Sequence, residues 1–90
     1  MALAACRVSV VNPLGLHARA AARFVRLAGQ FQCGVQVARG DRRVDGKSIL
    51  GVLTLSAARG AVLEVTAEGD DADQAIAALG GLIERGFEDA

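Results

Sequence analysis

The run Asn12-Pro13-Leu14-Gly15-Leu16-His17-Ala18-Arg19-Ala20-Ala21-Ala22-Arg23-Phe24-Val25 holds the only histidine and the only proline of the chain. Its first four residues are turn chemistry, because proline fixes φ and glycine permits a sharp change of direction. The residues after the turn have the helical period. Ala21, Phe24, Val25 and Ala28 fall at i, i+3, i+4 and i+7 and make one apolar face, while Arg19, Arg23 and Arg26 make a separate basic stripe. The spacing predicts a helix over roughly Ala18 to Ala28, stopped by Gly29. His17 therefore stands at a helix start, with an arginine two residues on.

The flanks of this run read as sheet and helix in turn. Cys6-Arg7-Val8-Ser9-Val10 alternates, which predicts a strand with Cys6, Val8 and Val10 toward the core. Val35 to Arg39 is a second strand, Gly40-Asp41 a tight turn, and Arg42 to Asp45 a short third strand. Ser48 is a natural N-cap for a short apolar helix, Ile49 to Leu55. Ala61 to Glu68 alternates with Leu63, Val65 and Ala67 inward. A last helix opens at Asp70-Asp71, with Asp71 and Gln74 spaced as a capping box, and buries Ala72, Ala75, Ile76, Leu79, Leu82 and Ile83. Gly80-Gly81 within it costs about 1 kcal/mol per glycine relative to Ala, and a close helix approach is the expected reason. The order β-α-β-β-α-β-α predicts a two-layer α/β (α+β) sandwich, with a four-stranded, mostly antiparallel sheet covered on one face by three helices. With no linker or repeat, residues 1–90 read as a single domain.

Composition narrows the function. Hydrophobic residues make up 52% of the chain but only three are aromatic, so the core is aliphatic. No apolar run is long enough to span a bilayer, and the start of the chain lacks the pattern of a signal peptide. Cys6 and Cys33 lack metal-site or C-x-x-C spacing, so two buried free thiols in a cytoplasmic protein are expected, with no metal and no cofactor. The zero net charge hides an asymmetry. Residues 1–60 carry nine Lys/Arg against two acids, and residues 61–90 carry one Arg against eight acids. Such polarity steers an acidic partner. With no interleaved aromatics and no basic excess, nucleic acid is not the expected partner.

Unpaired N–H groups and a partial positive charge make a helix start a site for an anion such as phosphate. Imidazole is a nucleophile near neutral pH and can form a covalent intermediate. His17 and Arg19 together suit the acceptance of a phosphoryl group. The residues alone leave His17 open between a helix cap, a phospho-accepting or anion-binding group, and a metal or general-base role. No acid dyad or triad partner lies near it, which argues against an independent hydrolase.

Gly15-Leu16-His17-Ala18-Arg19-Ala20-Ala21 resembles the active-site signature of the histidine-containing phosphocarrier proteins, the HPr family. Lys47-Ser48-Ile49-Leu50-Gly51-Val52-Leu53-Thr54-Leu55 resembles that family's second signature, around its regulatory serine. The likeness covers nearly the whole chain, and the spacing between the two motifs matches. The stretches His17 to Val25 and Gly86 to Asp89 are more similar to the nitrogen-related branch, often called NPr, than to the sugar branch. The resemblance implies a sheet order of 1-4-2-3. It implies that His17 takes a phosphoryl group on Nδ1 from enzyme I, charged by phosphoenolpyruvate, and hands it to a histidine of an enzyme IIA partner. Arg19 would balance the phosphate charge, and Ser48 would be the target of a serine kinase. Such a protein is a relay more than an enzyme. Most members have proline where this chain has Ala20, a first-turn position that accepts either residue.

On a helical wheel, Ile49, Val52 and Leu55 face the core and Leu50 and Leu53 face away. This predicts a small apolar docking patch of Leu50 and Leu53, rimmed by Arg19, Arg23, Arg26 and Lys47, suited to transient binding by a monomer. Ser48 is both the N-cap and a point where phosphorylation would place negative charge at the docking edge. Two further readings stand beside the carrier. One is a regulatory docking module of the same fold that acts through Ser48 without phosphotransfer. The other is a small-ligand regulatory domain, which would not need histidine at a helix start.

Overall fold

The computed structural model describes residues 2–89. Four strands, β1 (Leu3–Ser9), β2 (Gly34–Arg39), β3 (Arg42–Asp45) and β4 (Val62–Glu68), form one antiparallel sheet in the order β1-β4-β2-β3. Three helices, α1 (Ala18–Ala28), α2 (Ile49–Leu53) and α3 (Ala72–Glu84), cover one face. A C-terminal turn, Gly86–Asp89, comes after α3. The sheet order and layer arrangement are those expected.

Val65 sits at the centre of the sheet, opposite Cys6 on β1 and Val37 on β2. It is fully buried, as are Phe24 of α1 and Leu79 and Ile83 of α3. The alternation along β4 puts Leu63, Val65 and Ala67 under the helices and Glu64, Thr66 and Glu68 on the open face. β2 breaks this rule, because Ala38 is buried beside Val37. Ala38 pairs with Glu64 on one side and Arg43 on the other. The Arg43–Glu64 ion pair, at 3.6 Å, lies across it and shields the small side chain.

Several expectations need correction. β1 begins at Leu3, earlier than the alternation suggested, because pairing with Ala67 and Glu68 of β4 draws in alanines with little strand preference of their own. Cys6 is only half-buried, whereas Cys33 is buried, and both thiols are free. Burial, then the charge of Glu84, raises the Cys6 pKa; burial, then Asp71, raises that of Cys33. Asp71 makes no capping box with Gln74. Its carboxylate instead accepts the amides of Gln32 at 2.8 Å and Cys33 at 2.9 Å, tying the start of α3 to the entry of β2. Those bonds, that from Gln32 foremost, hold the Asp71 pKa below the usual carboxylate value. The C-terminal turn was not foreseen as an element. Its Phe87 and Glu88 take left-handed φ values of 56° and 57°, a conformation that costs a non-glycine residue about 1–2 kcal/mol.

Gly80 explains half of the glycine pair in α3. A Cβ there would lie 3.2 Å from the Cys6 sulfur, so the helix rests its backbone on β1. At Gly81 a Cβ would meet only the movable Arg85 guanidinium. Gly80→Ala should therefore be neutral or destabilising in the native chain. In a Cys6→Ala background it should stabilise by up to about 1 kcal/mol, the helix-propensity difference. Urea denaturation of the four chains measures this, and an equal effect in both backgrounds contradicts the close approach.

Asp71 also sets a pH dependence. A carboxyl whose folded pKa is lowered stabilises the fold above its unfolded pKa, about 4. That stability is lost as pH falls through the folded value. The melting-temperature gap between native chain and Asp71→Asn should be largest near neutral pH and should close in acid. A gap that stays constant from neutral pH to pH ~2 refutes the carboxylate's role.

Candidate functional site: the histidine at the start of α1

His17 closes α1 with its own side chain. Its backbone is extended, with φ −81° and ψ −178°, and its Nδ1 accepts a hydrogen bond from the Arg19 amide at 3.3 Å. A nitrogen that accepts must carry a lone pair, so this contact assigns the proton of the neutral ring to Nε2. The two nitrogens are in different surroundings. The Nδ1 bond lies at the exposed helix start, whereas Nε2 is shut off from solvent with no hydrogen-bond partner among the described residues. The helix's first internal bond runs from Ala21 N to His17 O, so the amides of Ala18, Arg19 and Ala20 have no carbonyl within the helix to meet. Ala20 sits inside an unbroken first turn, so the missing proline does not disturb the helix.

The loop that delivers His17 is gripped on both sides. Asn12, only 5% exposed, donates from Nδ2 to Gly15 O at 2.7 Å, and Gly15 N donates back to Asn12 O at 3.1 Å. Leu16 N donates to Ala57 O at 2.8 Å. Gly15 has φ +66°, and a Cβ there would stand 2.5 Å from Ala57 O and 3.0 Å from the Ala58 Cα. Only glycine lets the loop lie on the chain that leaves α2.

The expected docking residues divide. Arg19 and Arg26 are exposed, and neither guanidinium is bonded among the described residues. Arg23 is not free in this way. Its Nη1 donates to Phe87 O at 2.7 Å and Glu88 O at 2.6 Å, on the C-terminal turn. The Lys47 ammonium donates to Phe31 O at 2.7 Å, in the loop after α1. On α2, Ser48 caps with Oγ accepting from Gly51 N at 3.1 Å. Leu50 is 75% exposed, and Leu53 is half-buried against the core. Val52 and Leu55 are buried as expected, but Ile49 is not core: it is 40% exposed, because it opens a five-residue helix before the chain turns in. Leu14, in the turn before His17, is 74% exposed and was missed, since a leucine in a turn carries no periodic signal.

A shallow hollow of about 700 Å³ lies on the open face of the sheet, between Leu3, Gln36, Asp45 and Thr66. No histidine or cysteine lines it, and His17 stands at the helix start on the opposite layer. Among the described residues, no cluster of three His, Cys, Asp or Glu could hold a metal, and no helix is long and apolar enough to cross a membrane.

A crystal structure of HPr-C-His from Thermoanaerobacter tengcongensis superposes with a TM-score of 0.92 at 39% identity, over 97% of this chain and 98% of that one. The family described as "PTS HPr component phosphorylation site" matches residues 4–85. The phosphocarrier protein HPr of Pseudomonas aeruginosa is 45% identical over 94% of this chain and 96% of its own length. The phosphocarrier protein NPr of Shewanella violacea is 34% identical over 93% and 92%. The chain belongs to the HPr family, the phosphocarriers of the phosphotransferase system.

The grip on the loop can be measured. Gly15→Ala should cost more than Gly40→Ala, although both glycines have positive φ. Gly40 has nothing within 4 Å of a Cβ, so its change should cost only the left-handed conformation, about 1 kcal/mol, whereas Gly15→Ala should cost about 2–3 kcal/mol. Equal losses in urea denaturation contradict the contact with Ala57.

Proposed function

We propose that His17 is the phosphoryl acceptor, that it is charged on Nδ1 by phosphorylated enzyme I, and that it hands the group to a histidine of an enzyme IIA partner. The observation that carries this reading is the Arg19 amide bond to Nδ1 at the exposed end of α1. It implies a lone pair on Nδ1, among the unpaired first-turn amides of α1. The Nδ1 lone pair attacks phosphorus and a new P–N bond forms. The P–N bond of the donor histidine breaks, and its electron pair returns to the donor ring. The proton stays on Nε2 through the step. Phosphoryl oxygens then take over as acceptors for the first-turn amides, and the unbonded Arg19 guanidinium closes on their charge. Each partner supplies its own active site, and this chain supplies position and electrostatics. Transfer onward repeats the step in reverse with a new ring.

Leu50 and Leu53 form the apolar surface on which both partners dock in turn, with the acidic surface of each partner meeting α1. Phosphorylation of Ser48 by a serine kinase would add charge at that edge and weaken docking without touching His17. We assign the chain to a nitrogen-type, regulatory phosphotransferase system of the cytoplasm, on the likeness of His17 to Val25 and Gly86 to Asp89 to that branch. It acts as a monomer and a single domain over residues 1–90.

The test is intact mass after incubation with phosphoenolpyruvate and the host's enzyme I. The native chain should gain one acid-labile phosphoryl group and His17→Ala none. Arg19→Ala should keep its fold and melting temperature and take up the group about 10–100-fold more slowly. A phosphorylated His17→Ala chain, or an Arg19→Ala chain charged at the native rate, would show that these roles are misassigned.

A further inference from the structure

Gly86, Phe87 and Glu88 have φ values of 63°, 56° and 57°, one left-handed turn. Glycine adopts this freely, but phenylalanine and glutamate do not. Such a conformation persists only where its surroundings overdetermine it. Two contacts do so here. The Phe87 side chain is fully buried among the core residues. The Arg23 guanidinium draws two successive carbonyls, those of Phe87 and Glu88, onto one nitrogen at 2.7 and 2.6 Å. Arg23 lies on α1, the helix that His17 caps. The other side of the turn meets the phosphorylation loop. Gly86 lies beside Asn12, where a Cβ would stand 3.4 Å from the Asn12 Cβ, in ordinary van der Waals contact. Asn12 in turn holds Gly15 O at 2.7 Å. The contacts form a strut: α1 through Arg23, the C-terminal turn, Asn12, Gly15 and the His17 loop.

We propose that the C-terminal turn, clasped by Arg23 and braced on Asn12, is a positioning element that fixes the loop of His17 relative to α1. The proposal rests on the reading of His17 as the phosphoryl acceptor. It gives Arg23 a different task from docking. An arginine that meets partners needs an open guanidinium, and this one is already bonded inside the molecule. The strain in Phe87 and Glu88 is retained because the turn must present both carbonyls to one side chain while Gly86 faces Asn12.

The experiment measures kcat and KM of the full chain as acceptor for enzyme I, for native protein, Arg23→Gln, Phe87→Leu, the double variant and Arg23→Lys. Backbone amide NMR shifts of Gly15 and His17 are recorded on each free chain. Each single variant should lower kcat about tenfold with KM changed less than about twofold, because positioning is lost and docking is not. The double variant should fall no further than the worse single, since both cut one strut. Arg23→Lys should recover part of the loss, since an ammonium can still donate to the carbonyls. The Gly15 and His17 amides should shift in Arg23→Gln and Phe87→Leu. A raised KM with native kcat in Arg23→Gln overturns the proposal in favour of docking. Native kcat with unmoved Gly15 and His17 amides in Phe87→Leu overturns it as well. If native chain accepts no phosphoryl group, the acceptor reading fails separately, and the amide shifts alone then judge the strut, with unmoved shifts refuting it.

Discussion

One hydrogen bond organises this molecule: the Arg19 amide donating to Nδ1 of His17. It makes the histidine a structural cap, and the proposed phosphoryl acceptance uses the same nitrogen. A serine or asparagine would cap α1 as well or better. Neither would leave an aromatic nitrogen lone pair among the unpaired amides of the first turn. The rest of the fold serves to keep that ring where it is. Val65 and its neighbours anchor the sheet, α1 packs against α2 and α3, and Gly15 and Leu16 lock the entry loop to Ala57.

Phosphocarrier function asks for a site that is fixed in shape yet exposed to partners. The structure meets the two demands with different residues. Gly15, Asn12 and Arg23 are committed inside the molecule, by close approach or by bonds to backbone. Arg19, Arg26 and Leu50 stand in solvent, the two guanidiniums unbonded among the described residues. The charge asymmetry along the chain has a related division. Arg23 uses its charge on the carbonyls of the acidic C-terminal segment, and Arg43 pairs with Glu64 of β4. Of the basic side chains of α1 that remain open, Arg19 lies in the first turn beside the histidine and Arg26 in the last.

What the sequence disclosed and what it hid divide along a physical line. α1 was legible to the residue because an apolar face and a basic stripe share one period. The helix position of His17, the Ser48 cap and the sandwich itself were legible for similar local reasons, strengthened by two motifs in register. The misses are long-range. Asp71 caps nothing within its own helix because it finds amides 38 and 39 residues away, at Cys33 and Gln32. Arg23 reads as part of a solvent stripe, and only the return of the chain 64 residues later reveals its partner. Gly80 looks like a defect in a helix until Cys6 is seen beneath it. Phe87 and Glu88 have no composition that announces a left-handed turn. The unequal surroundings of the two ring nitrogens of His17 are also set by neighbours, and no spacing rule reports them.

The role of that ring is best tested by ¹⁵N and ³¹P NMR of the chain labelled in histidine and charged by enzyme I. Phosphorus should be bonded to Nδ1, with Nε2 protonated, and the Arg19 amide should shift as phosphoryl oxygen replaces nitrogen as its acceptor. Phosphorus on Nε2, or an Arg19 amide that does not move on charging, would contradict the assignment of His17 Nδ1 as both the cap of α1 and the acceptor.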